Sequence, residues 1–117
     1  MYSERLTALF QAAAHAGSVM EETHRGVAGT PGGGPYLVLS LRAAEGRVVE
    51  ARFRTYGCPA AIGCSEAACA WSEGRPLGEL ATVTAEDVAR WVGGVPEGKE
   101  HCPELAARAL RAAVAPG

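Results

Sequence analysis

The chain has 117 residues, 48% of them hydrophobic, but 23 of those are alanine, so there is material for one compact core and one domain over residues 1–117 is expected. Eleven basic against thirteen acidic side chains give a net charge of −2, and the signs interleave instead of forming a basic stripe, which argues against a nucleic-acid partner. The longest dense apolar run, Tyr36 to Leu41, is far short of the ~20 residues of a spanning helix, and Met1 to Arg5 does not read as a basic leader, so a cytoplasmic protein with no membrane role is expected.

In chain order, Ser3 is a good N-cap, and Leu6, Leu9, Phe10 and Ala13 recur at helical spacing, which predicts an amphipathic helix ending before Gly17. Gly26 to Pro35 is a loop by composition, with a short extended segment just before it, around Thr23 to Ala28. Tyr36 to Leu41 and Val48 to Tyr56 read as strands joined by a turn through Glu45-Gly46. In the second run Val49, Ala51, Phe53 and Thr55 alternate with Glu50, Arg52 and Arg54, so the first set is expected inward in an antiparallel hairpin.

After Gly57-Cys58-Pro59 the period changes. Ala61, Cys64, Ala68 and Trp71 mark one face of a helix to about Gly74, with Pro59 at its first position, where a missing N–H costs nothing. Thr84 followed by Glu86 and Asp87 predicts a short capped helix carrying Val88, Trp91 and Val92 inward. Pro103 and Glu104 begin a last helix with Leu105, Ala109, Leu110 and Ala113 inward. A helix, a small antiparallel sheet and further helices make an α+β fold.

In a reducing compartment the four cysteines read as thiols or metal ligands and not as a disulfide framework. Cys58, at the mouth of a helix, faces the positive end of the backbone dipole and should have a lowered thiol pKa. His101-Cys102 repeats the device ahead of the last helix and adds an imidazole, so zinc, iron or an iron–sulfur cluster are the ions this donor set suits. Cys64 lies about 240° around the helix axis from Cys58 and reads, with Cys69, as a core residue. His15 and His24 have no ligand beside them in sequence and read as surface or capping residues. Trp71 and Trp91 read as core anchors, Arg52 and Arg54 as a solvated strand face, and Asp87 as a first-turn charge. The Gly29 to Gly34 loop lacks the lysine and hydroxyl ending of a phosphate-binding loop.

Several stretches together resemble the U-type iron–sulfur cluster assembly scaffolds, the IscU-like proteins and the N-terminal domain of NifU. They are Tyr2-Ser3, Gly29-Thr30-Pro31, Glu50 to Cys58 ending in Tyr-Gly-Cys, Ala61-Ile62, Trp71, and Lys99-Glu100-His101-Cys102-Pro103-Glu104-Leu105-Ala106. The resemblance implies a small antiparallel sheet with helices packed on one side. It also implies a site for a two-iron two-sulfide cluster or a zinc ion built on Cys58, His101 and Cys102, with Cys102 as a sulfur acceptor and Lys99 beside it. Two of that family's ligands are missing: its first cysteine and nearby aspartate fall on Gly33 and Pro35. Its chaperone-binding motif is here Val95-Pro96-Glu97-Gly98-Lys99, which argues against the usual chaperone partner.

Three functions follow as expectations. The first is a scaffold or carrier of a transient cluster, with a cysteine desulfurase as sulfur donor and apo iron–sulfur proteins as recipients. The second is a persulfide relay through Cys102, its pKa lowered by Lys99 and His101. The third is a degenerate metal-binding or regulatory relative that builds no clusters.

Overall fold

The computed structural model describes residues 2–30 and 32–116. Pro31, one of the residues that carry the resemblance, lies outside the described residues, as do Met1 and Gly117. The elements run α1 (Glu4–Ala12), β1 (His24–Gly29), β2 (Tyr36–Ala44), β3 (Arg47–Tyr56), α2 (Pro59–Ser72), α3 (Leu77–Leu80), α4 (Ala85–Trp91) and α5 (His101–Val114). The three strands form one antiparallel sheet in the order β1-β2-β3, so the α+β expectation holds.

Each boundary has a local cause. The Ser3 hydroxyl oxygen accepts from the Leu6 N–H at 3.0 Å and donates to the Val92 carbonyl at 2.6 Å, so the cap of α1 also ties it to the end of α4. At the hairpin, Glu45 and Gly46 both have positive φ, 55° and 78°, the signature of a two-residue type I′ turn whose twist matches the strands. Thr84 and Asp87 exchange reciprocal bonds as a capping box at the start of α4, so Asp87 is the helix-start charge that was expected. The four-residue α3 carries no periodic signal and was not anticipated.

The inward set of β3 differs from the expected one. Ala43 pairs with Val48 and Arg42 with Glu50, so Val49 is the extra residue of a β-bulge. The bulge shifts the phase by one: Val48 is buried, and Val49, expected inward, is 45% exposed. Beyond it Ala51 and Phe53 point inward as read, opposite Leu41 and Leu39.

The helix α2 is not the one-faced helix its spacing suggested. It packs against α1, α4, α5 and β3 and is buried from Ala60 through Cys69 on nearly every side. Small residues allow this: a Cβ on Gly63 would stand 2.3 Å from the Leu6 side chain. The same closeness seats α5, because a Cβ on Gly26 in β1 would fall 2.0 Å from the Ala109 carbonyl oxygen and 2.7 Å from the Ala113 nitrogen. Strand and helix meet there backbone to backbone, which fixes how closely the second half of α5 lies on the sheet.

The segment after α1 runs along the free edge of β3, with Phe53 N–H donating to the His15 carbonyl and Gly17 N–H to the Phe53 carbonyl. Arg52 and Arg54 do not merely face solvent: Arg52 donates to the Ala14 carbonyl and Arg54 to the Ser18 hydroxyl. His15, expected to stand alone, is gripped by two carboxylates, with Nδ1 2.5 Å from Glu66 and Nε2 2.9 Å from Glu73. Its own N–H also donates to Glu66 at 2.7 Å. Burial opposes the charged ring, but the bonds to Glu66 and Glu73 outweigh it and raise its pKa above the ordinary 6.5.

Two predictions follow. Gly26→Ala should lower the denaturant midpoint by the equivalent of about 1–3 kcal/mol, and an unchanged midpoint would show that β1 and α5 are not in backbone contact. His15 stabilises the fold when protonated, so its contribution is complete below pH 6.5 and is lost as pH rises through the higher folded-state value. Melting temperature should therefore fall across that window more steeply in the unmodified chain than in His15→Ala; parallel curves would contradict the clasp.

Candidate functional site

The candidate site is built at two helix starts. Strand β3 ends at Tyr56, Gly57 makes the corner, and Cys58 is the N-cap of α2 in extended geometry (φ −81°, ψ 173°), with Pro59 as the first helical residue. The backbone N–H groups of Ala61 and Ala60 face the Cys58 sulfur, too loosely to count as cap hydrogen bonds. On the other side Lys99 N–H donates to the Pro96 carbonyl and Cys102 N–H to the Lys99 carbonyl. The Glu100 carboxylate accepts from Gly98 N–H at 3.0 Å.

That folded loop starts α5 earlier than read. His101 and Cys102 are its first two residues and Pro103 the third, whereas the sequence placed the pair ahead of the helix. Proline is tolerated there because N–H groups in the first turn have no intrahelical acceptor.

The two helix starts meet. Cys58 Sγ is 3.8 Å from Cys102 Sγ, and Cys102 Sγ is 3.6 Å from His101 Nε2, although the thiols are 44 positions apart in sequence. Lys99 is half-buried and its charge reaches both sulfurs. Among the described residues no group of three His, Cys, Asp or Glu side chains is gathered closely enough to hold a metal ion by itself, so the site is a thiol pair with an imidazole at one end.

The two thiols are unequal. Burial raises the Cys58 pKa, but the Ala61 and Ala60 N–H groups, the Cys102 thiol and Lys99 together carry it below its ordinary value, as the helix-mouth position led one to expect. Cys102 is only 1% exposed, and burial followed by the neighbouring Cys58 pushes it up to about 12. This corrects the expectation that Lys99 and His101 lower it: Lys99 does act downward, and burial and Cys58 outweigh it. The pair thus keeps its last proton on Cys102 and its negative charge on Cys58.

Cys64 and Cys69 are fully buried in the core, as read from their helical positions. Burial, then the charges of Cys102 and Cys58, push Cys64 up to about 12, and burial beside Glu66 and Glu73 holds Cys69 well above its ordinary value. Trp71 and Trp91 are half-buried and stack on each other with centroids 4.6 Å apart, with the Arg75 guanidinium over Trp71; they edge the core rather than anchor its centre. Among the described residues, His24 Nδ1 meets only the neighbouring Thr23 hydroxyl.

Tyr36 and Tyr56 stack at 6.3 Å and, with Gly32 and Gly34, line a cavity of about 410 Å³. A Cβ on Gly33, where the resembling family has its first cysteine, would meet nothing nearer than the Thr30 side chain at 3.4 Å. A side chain therefore fits there. Among the described residues no helix is long and apolar enough to cross a membrane.

In the native chain, alkylation by iodoacetamide should mark Cys58 first, with Cys64 and Cys69 reacting only after unfolding. Peptide mapping that finds a core cysteine labelled as fast as Cys58 would contradict this ordering.

The NifU-like N terminal domain family matches residues 1–116. The iron-sulfur cluster assembly scaffold protein IscU 1 of Archaeoglobus fulgidus is 33% identical over 114 residues, which is 97% of this chain and 74% of that protein. The fold is similar to that of a putative iron-sulfur cluster assembly scaffold protein for the SUF system from Fervidobacterium islandicum, with a TM-score of 0.79 at 14% identity over 97% of this chain and 96% of that one. It is also similar to the N-terminal part of a NifU-like protein from Brucella abortus, with a TM-score of 0.73 at 14% identity over 96% of this chain and 90% of that one. With a family match over nearly its whole length and a curated relative at one-third identity, this chain belongs to the NifU-like N-terminal domain family.

Proposed function

We propose that this chain is an iron–sulfur cluster assembly scaffold whose cargo, iron with sulfide as a two-iron two-sulfide cluster, is held transiently by Cys58, Cys102 and His101. The observation that carries the reading is the spacing within the two neighbouring donor pairs, Cys58 with Cys102 and Cys102 with His101. Two sulfurs each ~2.3 Å from one tetrahedral ion lie about 3.8 Å apart, and a sulfur and an imidazole nitrogen on the same ion about 3.5 Å apart. The distances here are 3.8 Å and 3.6 Å. Both thiols also sit at helix starts, where the dipole favours thiolates and an anionic cargo.

The donor set is one short of four. With glycine at position 33 and proline at position 35, a further position on the cargo stays open to an exogenous thiol or to the recipient protein. Such a cluster leaves readily, which suits delivery. A cysteine desulfurase as sulfur source and apo iron–sulfur proteins as recipients complete the proposed cycle, and zinc competes for the same three donors.

Anaerobic reconstitution with ferrous iron and sulfide tests this, read by visible absorption and by iron and acid-labile sulfide counts. The unmodified chain should form a cluster, Cys58→Ala and Cys102→Ala should each lose it, and Cys69→Ala should keep it. Gly33→Cys should slow the loss of the cluster to a chelator. No cluster in the unmodified chain, or Cys69→Ala as damaging as Cys58→Ala, would overturn the assignment.

A further inference from the structure

A strand at the edge of a sheet leaves a row of backbone N–H and C=O groups open to another chain, and most of that row on β3 is guarded. Val48 N–H donates to the Arg75 carbonyl, Gly74 N–H to the Val48 carbonyl, Ala51 N–H to the Glu73 carboxylate at 3.1 Å and Phe53 N–H to the His15 carbonyl. Gly17 N–H closes on the Phe53 carbonyl at 2.8 Å, and with its φ of 128° the chain then leaves the edge. Because both backbone groups of Phe53 point away from β2, so do those of Thr55, two residues along the antiparallel ladder. Among the described residues they have no partner: Thr55 is engaged only through its hydroxyl, which donates to the Tyr36 carbonyl at 2.7 Å. The gap opens onto a cavity of about 370 Å³ whose walls include Ala13, Gly17, Phe53, Arg54 and Ile62. Phe53 lies on the face of the sheet that carries the helices and Arg54 on the other. Arg25, Arg42 and Arg52 share that outer face and each pairs with a glutamate. Arg54 is exposed and, among the described residues, donates only to the Ser18 hydroxyl at 2.8 Å.

We propose that the open edge at Thr55 is a docking slot for an extended, acidic peptide segment of a partner protein, which adds to β3 as a further strand where the chain's own segment leaves it. Main-chain bonds to Thr55 N–H and C=O hold the segment, and its alternation selects it. One side chain turns toward Ala13, Phe53 and Ile62 and is apolar; the next turns toward Arg54 and is a carboxylate, which gives that guanidinium the partner its three neighbours already have. A second copy of this chain is the poorer occupant, because two such edges meeting would bring one unneutralised Arg54 against another. Thr55 stands three residues ahead of Cys58, so a docked segment brings its protein beside the candidate site. The slot does not depend on which cargo, if any, that site holds.

The test pans a displayed library of random linear peptides against the full, reduced chain, then titrates the enriched peptides, made synthetically, into isotope-labelled chain. Enriched peptides should be acidic with apolar residues at alternate positions. At saturation they should shift the Thr55 amide resonance and slow its hydrogen exchange, which in the free chain is faster than that of Phe53. Arg54→Glu should weaken binding about tenfold or more. Thr55→Pro removes the outward N–H at an edge position, where proline is tolerated, and should abolish binding while the other amide resonances are retained. Arg54→Glu leaves the backbone edge intact, so the charge arm still decides if Thr55→Pro fails to fold. No enrichment, peptides that shift amides elsewhere and not at Thr55, or binding unchanged in Arg54→Glu each overturns the proposal. So does self-association of the free chain that protects the Thr55 amide, which would make a second copy the occupant. The titration contains neither iron nor sulfide, so its outcome is separate from that of the cluster reconstitution.

Discussion

The meeting of two helix starts is what the rest of this molecule supports. α2 and α5 are far apart in sequence, yet their first residues bring Cys58 and Cys102 to 3.8 Å. That distance survives only if both helices are held along their whole length. For α5 the hold is steric: Gly26 lets β1 sit on the helix backbone where any Cβ would intrude. For α2 it is enclosure, with alanine, glycine and cysteine packed against α1, α4, α5 and β3. A core so rich in alanine gains little area per side chain, and it compensates through close approach of backbones rather than bulk. The proposed function depends on that tightness, because two thiols can share one ion only while their helix starts stay in register.

The periphery reinforces the same arrangement. The segment after α1 covers the open edge of β3, and His15 closes it onto α2 through Glu66 and Glu73. Glu66 is only 4% exposed, and a buried carboxylate is costly without partners. The backbone N–H and the ring of His15 provide them. The clasp thus clamps α2 in its middle and at its C-terminal end while the opposite end presents Cys58.

Much of this was legible in the sequence because it is written in short-range signals. The caps at Ser3 and Thr84, the Glu45-Gly46 turn, Pro59 after Cys58 and the helical spacing of Cys64 and Ala68 are each decided within a few residues. What escaped depends on partners distant in sequence. Val49 faces out because Arg42 and Ala43 straddle it across the hairpin, and His15 is bound because Glu66 and Glu73 reach it from another element. The first residues of α5 were misplaced because proline was read as a first position, although any position in the first turn accommodates it. The chemistry of Cys102 was misjudged for a related reason: a lysine and a histidine next to it in sequence suggested a lowered pKa, whereas burial and the Cys58 charge govern it. Cys58, His101 and Cys102 were legible as candidate donors, and the distances from Cys102 to the other two were not.

The pairing of Cys58 with Cys102 is tested by a bifunctional alkylating reagent that bridges two thiols only when they are neighbours, applied to the reduced, metal-free chain. One bridged product is expected, joining the peptide that contains Cys58 to the peptide that contains Cys102. A bridge from Cys58 to Cys64 or Cys69 would contradict it.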